Sequence, residues 1–357
     1  MSLLGRYLNR ELLGVFVMVL LVLFLVAVGG RFIGFLQDAA IGKYSAGSLF
    51  TLLGLRLPEI GQLLLPFALF LALLLTLGRL YAEQEMAVLF GGGAGAPALL
   101  RWLAPVIVAI TAAVAMLSLL VTPSSNASLA AALTEERLDR DFANLTPGVF
   151  HVYARGDRVS YADALAPDGE RLFEVFLAER RAGFEDVTVR AEEGLQYIDP
   201  ETGSRFLRLL RGSRYEGQLG TGGYRVIEFD SMSQRIEIDS SHRSVEDVGA
   251  RPTALLIGDD DAVARAELGW RWSMPLLTAL SALLAIALAR VKPRQGRFAR
   301  LLPALGVFLL YYLSLSLIQN RLIEGDWPAW LSYWPAHGLF ALLAIYGLSR
   351  IGSPQRT

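Results

Sequence analysis

The sequence predicts an α+β membrane protein: six transmembrane helices carry one large extracytoplasmic β-rich domain, inserted between helices 3 and 4. Three observations predict it. The chain of 357 residues is 54% hydrophobic and only 19% charged, less charge than a soluble protein of this size carries. Its charge is also unevenly divided. From Pro123 to Gly269 there are 17 Arg, no Lys and 27 Asp plus Glu, a net charge of −10, while the remainder holds 16 basic and 7 acidic residues, a net of +9. Finally, hydrophobic periodicity changes inside that acidic stretch. Two differently solvated parts account for this pattern better than one globule does.

A helix needs roughly 20 apolar residues to cross the hydrocarbon core. Six charge-free windows meet the requirement: Leu12–Gly30, Ile60–Gly78, Trp102–Val121, Trp272–Ala289, Leu301–Asn320 and Trp327–Ser349. Pro58, Pro66 and Pro105 lie in or beside them, which membrane helices tolerate when neighbours satisfy the freed carbonyls. The first window is longer than the apolar region of a signal peptide and has no small-x-small cleavage site, so it reads as a retained span. Counting Arg and Lys near the spans places both termini inside, by eleven against five. The bias is steepest between Arg290 and Arg300, a tight cytoplasmic loop. All six Trp sit near span ends, as interfacial anchors do. The resulting organisation is helices 1–3 over residues 1–122, the exported domain over 123–269 and helices 4–6 over 270–357.

Within the exported part, residues 149–153, 171–177 and 223–229 are short β-branched and aromatic runs. Turn signals separate them at Pro167-Asp168-Gly169, Asp199 to Gly203 and Gly220 to Gly223. Such spacing implies a sandwich, jelly roll or open barrel. Ser128–Phe142 reads as an amphipathic helix leaving span 3, and Asp259–Trp272 as a helix entering span 4. The acidic triplet Asp259 to Asp261 fits the helix start, where negative charge suits the dipole, better than a metal site.

The missing residues exclude whole classes of chemistry. With no Cys there is no disulfide, thiolate catalysis, Cys-ligated zinc or iron–sulfur cluster. The histidines at 151, 242 and 337 are scattered, without metal-ligand spacing. Neither an HExxH, a GxSxG nor a phosphate loop occurs; of the two lysines, Lys43 follows Gly42 but precedes Tyr44. No catalytic residue or metal site is expected, and any ATP-driven work falls to a partner. Glu59 is the sole acid near a span's apolar core, and Arg56 one turn away makes a neutralised bridge the better reading than a coupling site.

Two features point to function. Arg79 to Phe90, between spans 2 and 3, is helix-prone and is stopped by Gly91-Gly92-Gly93. On one continuous helix Glu83 and Glu85 would lie about 200° apart. Glu83 can then pair with Arg79, leaving Glu85 either as a docking carboxylate or simply solvated. The second feature is Arg31 and Arg321, both at outer span ends. Each either snorkels to headgroups or, as one of two at the same depth, binds phosphates of an amphipathic substrate through its bidentate donors.

Several segments together resemble the LptF/LptG permease family of the lipopolysaccharide exporter. They are Arg6-Tyr7-Leu8 with Arg10-Glu11; Leu57-Pro58-Glu59-Ile60-Gly61-Gln62 with Leu65-Pro66; Leu77-Gly78-Arg79-Leu80-Tyr81 with Glu83 and Glu85; Arg265-Ala266-Glu267-Leu268 with Trp270-Arg271; and Pro293 to Arg297. The last two favour the LptF branch. The stretch with Phe90 and three glycines departs from the family pattern. The resemblance implies a multi-pass inner-membrane subunit with a periplasmic β-jellyroll. It would pair with an LptG-like permease on two copies of an LptB-like ATPase, where ATP and magnesium are held, and would pass lipopolysaccharide to an LptC-like bridge. It implies lateral gates between span 1 of each permease and span 5 of the other. Arg31 and Arg321 become substrate-phosphate positions, and Glu85, with Glu83 beside it, the coupling-helix carboxylate. Phe150, Val152, Leu172, Val175, Leu177, Val226 and Ile227 either line an acyl-chain slot or form an ordinary sandwich core. Membrane lipids are the remaining expected contacts, and nucleic acid is not one. The alternative from another class is a non-transporting assembly or sensor protein with an exported binding domain.

Overall fold

A computed structural model describes residues 3–40, 48–143, 148–153, 158–166, 171–179, 186–198, 205–217, 223, 225–235, 248–290, 300–328 and 331–351. The chain divides into two compact units, one formed by residues 1–132 and 243–357 and the other by 133–242.

The first unit is helical. The first five charge-free windows fall on α1 (Leu3–Ala40), α2 (Leu49–Ala82), α4 (Ala96–Met116), α7 (Ala262–Leu288) and α8 (Leu301–Glu324), which extend beyond them into charged sequence; a short α3 (Glu85–Gly91) follows α2, and a four-residue α6 (Thr253–Leu256) precedes α7. Pro58 and Pro66 lie inside α2 and Pro105 inside α4 without ending them. α4 passes through a π turn, Leu117–Val121, into α5 (Thr122–Ala143). The helix expected to leave span 3 is thus a direct continuation of it.

Among the described residues five helices are long and apolar enough to cross a membrane. The sixth window yields only α9 (Trp334–Ser349), 16 residues, about 24 Å at 1.5 Å per residue. Its first seven residues were expected to be helical. Instead the Trp327 indole donates to the Ser332 carbonyl at 3.0 Å, and Ser332 has φ 42°, so a turn precedes the helix. The helix into span 4 likewise starts later than expected, at Ala262. Asp261 is its extended N-cap, and Asp259 accepts the Asp261 N–H at 3.1 Å.

α2 and α7 form the centre of this unit, with 56% of each apolar window buried, against 11% for α1. Leu69, Leu73 and Leu77 of α2, Leu103 of α4, Leu277 and Ala285 of α7, Phe308 and Leu315 of α8 and Phe340 of α9 share one core. Small residues let helices approach closely: the space a Cβ on Gly347 would need is taken by Ala287.

The second unit is a seven-stranded antiparallel sheet, in order β1-β2-β4-β5-β6-β7 with β3 also on β4. The strands are β1 (His151–Tyr153), β2 (Arg158–Tyr161), β3 (Ala164–Leu165), β4 (Arg171–Glu179), β5 (Asp186–Ile198), β6 (Arg205–Gly217) and β7 (Arg225–Arg235). Apart from Gly223, the three turn segments read from sequence lie outside the described residues. One face is apolar: Leu172, Val175, Val189, Ala191, Leu207 and Leu209 are buried against Ala162. Pairing is interrupted along one transverse row, at Glu174, Glu192, Arg211 and Asp230 on four successive strands. Glu174 and Arg211 there have φ 48° and 49°. Arg211 donates to Glu192 and Glu193, both at 2.6 Å, which holds its guanidinium above its ordinary pKa.

Candidate functional site

The segment singled out around Glu83 and Glu85 begins where α2 stops. Glu83 donates its N–H to the Arg79 carbonyl, and Gln84 takes a left-handed φ of 62°. α3 therefore starts afresh at Glu85. This corrects the reading of a single helix over 79–90: Arg79 to Ala82 belong to the apolar helix α2, and no common helical wheel relates Glu83 to Glu85. The stop falls where the glycines predict it, with Gly92 as C-cap and Gly93 at φ 86°.

Buried Met86 fixes α3, and Phe90 packs near Tyr81 with ring centroids 6.3 Å apart. α3 faces the N-terminal end of α1 across an apolar groove of about 220 Å³, lined by Leu4, Tyr7, Leu8, Glu85, Val88 and Leu89. Val88 is 75% exposed. The Tyr7 hydroxyl points to the Glu85 carboxylate at 3.5 Å. Arg79 meets Glu11 of α1 at 3.0 Å and Glu83 at 3.9 Å. Among the described residues Glu85 is not paired with an arginine; it is half-buried, oriented from α1, with its acceptors at the rim of an apolar groove. A partner offering a cation and an apolar knob fits that chemistry.

The other sequence candidates are more dispersed. Arg31 is exposed on α1. Arg321, in the last turn of α8, is held by Asp326 at 3.0 Å and Glu324 at 3.5 Å, two partners the sequence reading omitted. No contact joins Arg31 to Arg321 among the described residues. Arg56 and Glu59 form the expected bridge, at 2.7 Å.

Of the slot candidates, Leu172, Val175 and Leu177 share the apolar sheet face. Strand alternation separates Val226 from Ile227: Ile227 registers with Arg214 and Val226 with Tyr215, so the two cannot both face inward. Both are exposed, and Phe150 is 61% exposed beside Tyr161. Val152 lies on β1 opposite Val159, and its side chain lies outside the described residues.

Two buried polar networks escaped the sequence reading. Arg271, 1% exposed, donates to Glu267 at 2.8 Å, to Thr253 at 2.8 Å and to the carbonyls of Arg251 and Gly249 at 2.9 and 3.1 Å. The π turn closes the knot from the other side: Ser118 donates to the Arg271 carbonyl, and Thr253 to that of Leu119. In the second network Ser273 donates to the Gly269 carbonyl at 2.7 Å and therefore accepts from His337 Nε2 at 3.0 Å. His337 Nδ1 then accepts from the Tyr311 hydroxyl at 2.7 Å. The spacing Glu267-x-x-x-Arg271 was a legible signal for the first pair; nothing local announced the rest.

An apolar helical bundle of spanning length joined to an antiparallel sheet defines a multi-pass α+β membrane protein. Residues 6–350 match the family model of the lipopolysaccharide export system permease LptF/LptG. The chain is 30% identical over 342 residues to the lipopolysaccharide export system permease protein LptF of Escherichia coli K12, covering 95% of this chain and 93% of that protein. The proteins of the same name from Escherichia coli O157:H7 and Shigella flexneri match to the same extent. The chain belongs to the LptF/LptG permease family.

Proposed function

We propose that this chain is the transmembrane permease subunit of an ATP-driven exporter that extracts lipopolysaccharide from the inner membrane and passes it to a periplasmic bridge. Near-complete coverage by relatives named as lipopolysaccharide export permeases is the observation that carries the proposal. In this reading α9 completes a set of six spans, both termini are cytoplasmic, and residues 123–269 form a jellyroll-like periplasmic domain. The cytoplasmic α3 docks an LptB-like ATPase, one of two copies, which supplies ATP and magnesium. An LptG-like permease is the second membrane subunit, and an LptC-like protein receives the lipid.

The physics of the cargo supports this assignment. A lipid with several acyl chains and phosphates needs an apolar enclosure with cations at headgroup depth. α1 contributes an exposed apolar flank, including Leu21, Val22 and Leu25, that runs up to the exposed Arg31. Arg321 contributes to the same layer after exchanging its carboxylate partners for phosphate. The apolar sheet face around Leu172, Val175 and Leu177 receives acyl chains.

A photoreactive residue at position 31, illuminated in cells and probed for lipopolysaccharide, tests the path. The expected adduct diminishes when the partner ATPase is inactivated. A correctly inserted protein with no adduct at 31, 321 or any strand position would favour the assembly or sensor reading.

A further inference from the structure

We infer that α6 is a membrane-interfacial foot. Leu255 and Ile257 enter the headgroup–acyl boundary of the bilayer, on the surface where α4 and α7 emerge towards the inserted domain, and the Arg271 knot holds them at that depth. The inference uses the membrane class of the chain and is independent of its cargo.

The patch follows from local structure. In the run Thr253-Ala254-Leu255-Leu256-Ile257, Leu256 is fully buried with Val248 and Ala264 in a small core of its own. Its two neighbours are left out: Leu255 is 67% and Ile257 66% exposed. Consecutive helical residues point about 100° apart, and the chain is already extended at Ile257. No single face can therefore bury all three aliphatic side chains.

Depth identifies the occupant. The Thr253 hydroxyl, at the start of α6, donates to the Leu119 carbonyl and accepts from Arg271. Leu119 lies 17 residues from Trp102 along α4 and its π turn, about 26 Å at 1.5 Å per residue. Arg271 lies 19 residues from Arg290, just past the far end of α7, about 28 Å by the same measure. Both rulers end at the boundary of a hydrocarbon core about 30 Å thick.

The surroundings match that boundary. On the core side, exposed Met116 and Leu120 continue the apolar surface along span 3, and exposed Trp272 and Leu276 along span 4. Tryptophan is enriched at such interfaces. On the other side the chain turns acidic from Asp259 to Asp261, and the Asp260 side chain is fully exposed. Asp261 stands ten residues before Arg271 at the start of α7, about 15 Å further out. An aliphatic pair between an apolar belt and an acidic rim fits a lipid interface.

Two aliphatic side chains bind a bilayer weakly by themselves. Here the knot fixes their backbone beforehand: Arg271 holds the Gly249 and Arg251 carbonyls as well as Thr253, so little ordering is left to the membrane. The buried arginine thus sets the depth of the foot.

The chain has no Cys, so Leu255→Cys, Ile257→Cys and Asp260→Cys each provide one site for a bimane fluorophore. The full-length chain is reconstituted in phospholipid nanodiscs, alone and with its partner subunits. The lipid carries a spin-label quencher either near the headgroup end of the acyl chain or near its middle. The shallow quencher is expected to quench labels at 255 and 257 about threefold more than a label at 260, and more than the deep quencher does. Thr253→Val, which removes only the hydroxyl joining α6 to Leu119 and Arg271, should narrow that contrast. Full contrast in Thr253→Val would overturn the role given to the knot. Equal quenching at 255, 257 and 260 would overturn the foot. Quenching seen in the chain alone and lost with the partner subunits would also overturn it, by assigning the patch to a protein interface.

Discussion

The Arg271 guanidinium lies 2.8 Å from the Glu267 carboxylate, with the arginine side chain 2% and the glutamate 13% exposed. Removing one member of such a pair strands the other in a poorly solvated site. Arg271→Met is expected to destabilise the helical unit by about 3–5 kcal/mol. The double variant Arg271→Met, Glu267→Met should recover only part of this, because the carbonyls of Gly249 and Arg251 lose their donors in both. Thermal unfolding of the purified protein in detergent measures the difference. A single variant as stable as wild type would show that the knot contributes nothing.

A second prediction concerns the chain from Tyr311 through His337 and Ser273 to Gly269. Every donor in it has one acceptor. Tyr311→Phe leaves His337 Nδ1 with no hydrogen and should cost about 1–3 kcal/mol. Ser273→Ala breaks the other end and should cost a similar amount, and the two losses should combine non-additively. A double-mutant cycle on unfolding temperature reads the coupling; strict additivity would contradict a continuous chain.

In the sheet, a methyl group on Gly212 would collide with the Arg190 backbone carbonyl and the Phe229 ring, whereas one on Gly223 meets open space. Gly212→Ala is expected to cost about 1–3 kcal/mol through overpacking, and Gly223→Ala to be silent. Hydrogen exchange of β5 and β6 in the full-length protein distinguishes them: protection should fall only in Gly212→Ala.

The helical half of this fold was largely legible from sequence, because a membrane helix is written as an uninterrupted apolar window. The late start of α9 came from a turn around Pro328 and Ser332 that hydropathy does not register. The sheet was half-legible. β1, β4 and β7 overlap the apolar runs, but β5 and β6 bury one face only and place Arg, Glu and Ser between their apolar residues, which dilutes the signal. The single helix drawn through Glu83 and Glu85 was misplaced as geometry, since one left-handed residue at Gln84 undoes any helical wheel drawn through it. The partners of Arg321 were missed, because Asp326 reaches it only after the chain turns at Gly325. Apart from the i, i+4 contacts to Glu267 and Gly269, the His337 and Arg271 networks join residues 18 to 153 positions apart, beyond the reach of local pattern.

At the apolar groove beside α3, the proposed docking of an ATPase predicts that Glu85→Ala weakens that association by about tenfold, as loss of an interfacial charge contact does. Glu83→Ala should change it less than about twofold, since a half-exposed carboxylate 3.9 Å from its cation contributes little. Co-purification of the ATPase at increasing salt concentration ranks the two. Equal effects would remove Glu85 from its special place.

The most direct measurement of the central claim is lipopolysaccharide release from proteoliposomes containing this chain, its partner permease and the partner ATPase, with periplasmic acceptor protein outside. The account predicts release that requires ATP and magnesium and stops when the ATPase is catalytically dead. Release that proceeds equally without ATP, or an assembled complex that hydrolyses ATP and moves no lipopolysaccharide, would contradict it.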